Sequence, residues 1–133
     1  MARWHVSGTL FMGGYATEED TLDCGLVVNL SGGQCWPRPS MIYVTWQIVD
    51  GPLPDLIPLY NTAELVANTV GKNIRTLVHC GAGLNRSALV TALAYKLLIG
   101  CSGAEAMTLI RAKREDPNCL SNQSFADWLR NLP

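Results

Sequence analysis

The chain has 133 residues, 48% of them hydrophobic, and its ten basic and eleven acidic side chains leave a formal charge of -1. This length suits one domain, residues 1–133, with a core that needs no disulfide or metal. The balanced charge argues against a nucleic acid or an anionic membrane surface as partner. The chain contains neither a signal-peptide pattern nor an apolar run of about 18 residues, so a cytoplasmic protein is expected.

The five cysteines do not form a disulfide or zinc framework. Their number is odd, none are spaced as CxxC, and the two histidines lack ligand-like spacing to a cysteine pair. We therefore expect a reducing compartment, no metal and no other cofactor. Cys24 and Cys101 flank apolar segments and are expected to be packing residues.

The first half of the chain predicts short strands and one short helix. Strands are expected at Trp4–Ser7 and Thr9–Met12, around Gly8. A helix can begin at Thr17, which is followed by acidic residues. Two further strands are predicted by the apolar run Leu26–Leu30, which suits a buried parallel strand, and by the β-rich run Met41–Val49.

The second half alternates helix and strand. A loop with two prolines occupies residues 50–55, and helical spacing of apolar residues then continues to Gly71. The remaining predicted elements are a strand at Arg75–His79, a helix at Arg86–Ile99, a helix capped by Ser102 and running to about Arg114, and a helix at about Ser121–Leu132. This alternation predicts a single-domain, three-layer α/β fold whose central, mainly parallel sheet of four or five strands is flanked by helices.

The loop between the Arg75–His79 strand and the Arg86–Ile99 helix has the composition of an anion site. A glycine-containing loop that enters a helix N-terminus presents backbone N–H groups, and the helix dipole adds positive charge. Gly81 and Gly83 permit the dihedrals that turn these amides inward, and Arg86 can grip two phosphate oxygens. The expected binding residues are Gly81, Ala82, Gly83, Leu84, Asn85 and Arg86.

The same electrostatic field favours the thiolate of Cys80, which would then be a nucleophile placed for in-line attack on phosphorus. Ser87 can reach the Cys80 sulfur and ease its departure in a second step. His79 is expected to support the loop by hydrogen bonding to backbone carbonyls rather than to act as a base.

These residues resemble a known signature. The run His79–Ser87 is similar to the signature loop of the cysteine-dependent protein tyrosine phosphatases, especially the small dual-specificity branch. Thr9–Gly14 and Val27–Ser31 resemble that branch's opening strand motifs, and Ile110–Arg114 also fits it. The resemblance implies a central sheet flanked by helices and hydrolysis of phosphomonoesters through a phosphocysteine. In some relatives a second cysteine traps the oxidised nucleophile; here Cys35 or Cys119 could do so, although a plain loop role is preferred.

Cleavage of a phosphate ester also requires a proton donor for the departing oxygen. Asp50 and Asp55 are the candidates, both in the proline-containing loop after the Met41–Val49 run. Asp50 is preferred because it ends that run and because the family's acid follows the corresponding strand. Asp55 is placed where a helix would take an N-cap. Asn122 or Gln123 could order the hydrolytic water, but a helix-start or surface role is preferred for both.

The sequence thus predicts a metal-independent protein tyrosine or dual-specificity phosphatase. Its catalytic residues would be Cys80, Arg86, Asp50 and Ser87, with His79 in support. The expected substrate is a phosphorylated protein or peptide carrying phosphotyrosine, with phosphoserine or phosphothreonine left open as alternatives, and the expected state is a monomer. The alternatives are a non-catalytic phospho-residue-binding module, an RNA 5′-phosphatase or phosphoinositide phosphatase of the same fold, and a sulfurtransferase or arsenate-reducing enzyme.

Overall fold

The computed structural model describes residues 3–33 and 35–133. Within them the chain forms five strands and five helices. In chain order these are β1 (Arg3–Ser7), β2 (Leu10–Gly13), α1 (Glu18–Thr21), β3 (Leu26–Asn29), β4 (Ile42–Thr45), α2 (Leu56–Gly71), β5 (Thr76–His79), α3 (Arg86–Ile99), α4 (Gly103–Arg114) and α5 (Gln123–Arg130).

The strands form one sheet in the order β1-β2-β5-β3-β4. Only the β1–β2 pair is antiparallel, which confirms the predicted mainly parallel sheet of four or five strands. All residues of β3 and β5 are buried, as continuous apolar runs in a parallel sheet require. Gly13, His79 and Asn29 lie side by side at the carboxyl ends of three strands, so the segment after His79 emerges at this edge.

The sheet has a large core on one face and a small one on the other. Val28 and Val78 pack with residues of α2, α3, α4 and α5 in the large core. Val27 and Leu77 pack with Cys24 in the small core. Ser87 to Ala94 in α3 are all buried, because α2, α4 and α5 surround this helix and hold it against the sheet.

The strand predicted at Met41–Val49 is shorter than expected, because β4 ends at Thr45. Trp46 and Ile48 still donate backbone hydrogen bonds to β3 and to Leu30. Beyond Leu30 the neighbouring chain turns away through two glycines with positive φ, so β4 loses its pairing partner. Asp50 therefore lies not at a strand end but within a segment without regular structure, residues 46–55, which we call the Asp50 loop.

Side-chain caps define the starts of α4 and α5. Ser102 caps α4 in a reciprocal arrangement with Glu105, as the sequence predicted. The last helix begins at Gln123, later than expected, because Asn122 serves as its cap and accepts a hydrogen bond from the Phe125 N–H at 3.2 Å.

Among the described helices, none combines the length and apolar character needed to cross a membrane.

Candidate active site

The segment between β5 and α3, residues 80–85 (the Cys80 loop), has its outer carbonyl groups occupied by backbone donors from two distant segments. The Tyr15 N–H donates to the Gly81 carbonyl at 2.8 Å, and the Leu120 N–H donates to the Leu84 carbonyl at 2.8 Å. These two bonds hold the ends of the loop with their carbonyls turned away from its centre.

Arg114, in the last turn of α4, holds the middle of the Cys80 loop. Its Nε donates to the Gly83 carbonyl at 2.9 Å, and its Nη2 contacts the Ala82 carbonyl at 3.4 Å. The guanidinium lies 3.6 Å from the centre of the Trp4 ring, and its side chain is only 12% exposed. Four successive carbonyls therefore face outward, which leaves the amides of the loop free to face inward.

Gly83 is required at its position on two grounds. Its φ of +70° is one that side chains rarely adopt. A Cβ there would also lie 2.7 Å from the Gly14 nitrogen and 2.8 Å from the Gly13 carbonyl carbon. The end of β2 thus packs directly against the Cys80 loop, and this close approach allows the Gly83 N–H to point at the Cys80 sulfur, 3.3 Å away.

Cys80 lies at the base of this loop with its side chain buried. Besides the Gly83 N–H, its sulfur meets the Ser87 hydroxyl oxygen at 3.3 Å, within the first turn of α3. Ser87 is fully buried as well. The two predicted residues are thus in hydrogen-bond contact at the point where the loop enters the helix.

Arg86 connects the Cys80 loop to the Asp50 loop. Its Nη1 donates to the Ile48 carbonyl at 3.3 Å, and its Nη2 lies 3.0 Å from the position that a Cβ on Gly81 would occupy. The guanidinium therefore reaches back along the loop toward Cys80. Arg86 remains partly exposed.

Asp50 is exposed and contacts the far end of the Cys80 loop. Its two carboxylate oxygens accept hydrogen bonds from side-chain amides, Asn85 at 3.1 Å and Asn122 at 2.8 Å. Asp55, by contrast, occupies the N-cap position of α2 without making a capping hydrogen bond. Asp55 lines a cavity of about 300 Å³ between the Asp50 loop and α2. The structure therefore places Asp50, the preferred candidate acid, in contact with the Cys80 loop, whereas Asp55, the other candidate, lies at the start of α2.

His79 does not make the predicted hydrogen bond to a loop carbonyl, so that part of its supporting role is wrong. It is 4% exposed, and neither ring nitrogen has a partner within the described chain. Side chains alternate along a strand, so His79 shares the sheet face of Leu77, while the loop carbonyls are bonded to other donors. Burial lowers the pKa of His79 to about 4, partly opposed by the charge of Asp20, which keeps the ring neutral near pH 7.

The other described cysteines are free thiols, and three have raised pKa values because of burial. Burial raises the pKa of Cys24 and of Cys119 to about 11 and raises that of Cys101 in the same direction. Cys24 and Cys101 pack against the two cores, as predicted. Cys119 lies in a turn, as predicted, but is buried, whereas Cys35 is exposed. The described residues contain no cluster of three or more His, Cys, Asp or Glu side chains suited to a metal ion.

Residues 34–107, more than half of the chain, match the model of the family described as cyclin-dependent kinase inhibitor 3 (CDKN3). The chain belongs to that family. Together with similar solved structures, this match confirms the predicted membership of the small dual-specificity branch of the tyrosine phosphatases. No curated sequence is similar enough to the chain to be matched with it.

Solved phosphatase structures are similar to this dual-specificity family member over almost its whole length. Tk-PTP in the active form has a TM-score of 0.82 at 22% identity, covering 98% of this chain and 95% of that one. A mouse putative dual specificity phosphatase complexed with zinc tungstate has a TM-score of 0.78 at 25% identity, covering 97% and 86%. Human DUSP28 has a TM-score of 0.74 at 25% identity, covering 98% and 96%.

In this dual-specificity fold, the sequence did not reveal how two residues support the loop. Tyr15, just after β2, and Arg114, in α4, bond loop carbonyls, and each acts on a residue distant in sequence. Asn85 was expected to bind the ligand, but its contact with Asp50 was not predicted. Asn122 was expected to start a helix, with water ordering as the alternative; it caps α5 and also contacts Asp50. Gln123 is exposed.

Proposed function

We propose that this protein hydrolyses phosphomonoesters through a phosphocysteine formed on Cys80. The observation that carries this proposal is the position of the Cys80 sulfur: it lies at the base of a loop whose carbonyls are bonded outward, with the Gly83 N–H directed at it from 3.3 Å. An inward array of amides at a helix N-terminus stabilises both a thiolate and a phosphoryl group.

In the first step the Cys80 thiolate attacks phosphorus, and the bond from phosphorus to the ester oxygen breaks. The loop amides and Arg86 stabilise the negative charge on the non-bridging oxygens. Asp50 is hydrogen-bonded to Asn85 at the end of the Cys80 loop. It donates its proton to the departing oxygen, and the leaving group is then released as an alcohol or a phenol.

In the second step water attacks the phosphocysteine, and the sulfur–phosphorus bond breaks. Asp50, now a carboxylate, accepts a proton from this water. The Ser87 hydroxyl, 3.3 Å from the sulfur, donates a hydrogen bond to the thiolate as it leaves. Inorganic phosphate is released, and neither step requires a metal ion.

A structural relative supports an oxyanion ligand for the loop. The mouse putative dual specificity phosphatase is complexed with zinc tungstate, and tungstate is a tetrahedral oxyanion similar in shape to phosphate. At 25% identity over nearly the whole chain, this supports an oxyanion such as phosphate as a ligand of this chain.

The charges around the Cys80 loop favour a substrate with one phosphate over a polyphosphorylated lipid or an RNA 5′-triphosphate. The Arg114 guanidinium is committed to two loop carbonyls. Arg38 donates to the carbonyl and hydroxyl of Thr21, away from the loop. Of Arg38, Arg86 and Arg114, Arg86 therefore remains for the phosphate, and a phosphorylated protein or peptide fits this charge.

The wild-type chain is therefore expected to release inorganic phosphate from a phosphotyrosine peptide, and to do so equally well in excess EDTA. The measurement is phosphate release against time, with parallel reactions on a phosphoinositide and on 5′-triphosphate RNA. Binding of the peptide without release would favour the non-catalytic module. Faster release from the lipid or the RNA would contradict the assigned substrate class.

Tyr15 supports phosphotyrosine as the preferred residue. Its side chain is 77% exposed, while its backbone N–H is fixed to the Gly81 carbonyl. The end of its ring lies 3.7 Å from the position that a Cβ on Gly81 would occupy, a position that is also 3.0 Å from Arg86. The ring thus lies near Arg86 at the start of the Cys80 loop, whereas Asp50 contacts Asn85 at its end, and there the ring can pack against an aromatic leaving group.

Replacement of Tyr15 with alanine is expected to raise KM for a phosphotyrosine peptide by about 2- to 10-fold, the value of one aromatic pair. KM for the matching phosphoserine peptide should stay the same, because its short side chain does not reach the ring. Tyr15→Phe is the matched control and should retain the wild-type KM. An equal change for both peptides would contradict the role of this ring.

A further inference from the structure

Two asparagine amides close a ring of hydrogen bonds with Asp50. The Asn122 Nδ2 donates to one carboxylate oxygen of Asp50 at 2.8 Å, and the Asn85 Nδ2 donates to the other at 3.1 Å. The ring is completed by the Asn122 backbone N–H, which donates to the Asn85 Oδ1 at 2.9 Å. It joins the start of α5, the end of the Cys80 loop and the Asp50 loop.

Backbone donors fix the orientation of both amides. The Asn122 Oδ1 accepts the capping bond from the Phe125 N–H, so its Nδ2 must face the other way, toward Asp50. The Asn85 Oδ1 accepts from the Asn122 N–H, and its Nδ2 is directed to Asp50 for the same reason. A reversed amide would place an oxygen against a backbone carbonyl or against a carboxylate. Both Asp50 oxygens therefore meet N–H groups whose direction is set by the fold.

The Asp50 loop has few other fixed points near its acid. Asp50 itself is exposed, and the segment 46–55 contains neither helix nor strand. The Asn122 Nδ2 also contacts the Gly51 carbonyl at 2.9 Å, so one amide holds two adjacent residues. Two residues earlier, Arg86 bonds the Ile48 carbonyl. These contacts tie the loop to the residues around Cys80 on both sides of Asp50.

We propose that Asn122, with Asn85, is a positioning residue that holds Asp50 at the Cys80 loop for proton transfer. This inference rests on the proposed function, because it assumes that Asp50 is the acid. A side chain that donates a proton must be held within hydrogen-bond reach of the departing oxygen, and a small displacement is costly. The cap of α5 thereby sets the geometry of the acid from a residue that does not touch the substrate.

The test replaces Asn122 with serine, which retains a capping oxygen for α5 but lacks the amide that reaches Asp50. We expect kcat/KM, which reports formation of the phosphocysteine, to fall about tenfold for phenyl phosphate, whose leaving group needs the proton, and by less than about twofold for 2,4-dinitrophenyl phosphate, whose leaving group does not. Asn85→Ser should show the same selectivity. Asn131→Ser, at the other end of α5, is the matched control and should retain wild-type values.

Two comparisons separate positioning from a structural role. In an Asp50→Ala background, Asn122→Ser should cause no further loss, because the group that it positions is gone. Hydrogen exchange across residues 46–57 should be faster in Asn122→Ser than in the wild type and in Asn131→Ser. Equal losses for both esters, full additivity with Asp50→Ala, or unchanged exchange would each overturn the proposal. A wild-type chain without turnover would instead contradict the proposed function, and the exchange measurement would still test whether Asn122 holds the loop.

Discussion

Replacement of Cys80 with serine is expected to reduce hydrolysis of a phosphotyrosine peptide to the background rate, a loss on the order of 10⁴-fold or more. A serine hydroxyl has nearly the shape of the thiol, but it stays protonated near neutral pH and attacks phosphorus poorly. Binding of inorganic phosphate should persist, because the loop amides and Arg86 are unchanged. Phosphate release and calorimetric titration with phosphate measure the two effects.

Cys101→Ser is the matched control for this experiment. Cys101 is a half-buried free thiol outside the Cys80 loop, and its removal should leave turnover unchanged. Wild-type turnover by Cys80→Ser would exclude the phosphocysteine. Loss of phosphate binding together with turnover would indicate that the substitution had disturbed the loop, and the unfolding temperature would show it.

The sequence predicted the Cys80 loop and its helix well because the determinants are local. The buried strand that ends at His79, the glycines of the loop and the helix-forming run from Arg86 to Ile99 lie within one short segment. The helix bounds match the prediction at both ends. The positions of Cys80, Arg86 and Ser87 relative to one another follow from this segment alone.

The supporting contacts could not be predicted, because they depend on which distant segments the sheet brings together. Arg114 meets the loop only because α4 packs beside α3, and the basic end of a helix otherwise has many uses. Gly83 accommodates the backbone of Gly13 and Gly14, a contact that arises from the pairing of β2 with β5. The error about His79 was avoidable, since strand alternation places its side chain on the face of Leu77 rather than in the loop.

Asp50 lies beside the Cys80 loop, as predicted, although the strand that was expected to carry it there is shorter than predicted. The β-rich run to Val49 predicted a longer strand, and a strand of that length would have carried Asp50 to the carboxyl edge of the sheet. In the structure β4 ends earlier, but backbone bonds from Trp46 and Ile48 keep the chain alongside β3. The same edge is reached by an irregular segment, and side-chain amides replace the strand as the support for Asp50.

Replacement of Asp50 with alanine is expected to lower kcat/KM by about 10²- to 10⁴-fold for phenyl phosphate, the range for loss of a general acid. The loss of kcat/KM should be smaller for 2,4-dinitrophenyl phosphate, because dinitrophenolate leaves without a proton. The phosphocysteine should still form from this activated ester. Its slower hydrolysis, without Asp50 to accept the proton of water, should give an initial burst of dinitrophenol in a rapid-mixing experiment.

Asp55→Ala is the matched control, since it removes a carboxylate from the same loop, five residues later. Asp55 makes no capping hydrogen bond to α2, so its loss should change the unfolding temperature little and leave kcat/KM near the wild-type value for both esters. A larger loss of kcat/KM at Asp55 than at Asp50 would reassign the acid. That outcome would also require the Asp50 loop to rearrange, because Asp50, and not Asp55, contacts the residue that precedes Arg86. The ratio of the two losses, measured with the poor leaving group, therefore tests the identity of the acid and the geometry that supports it.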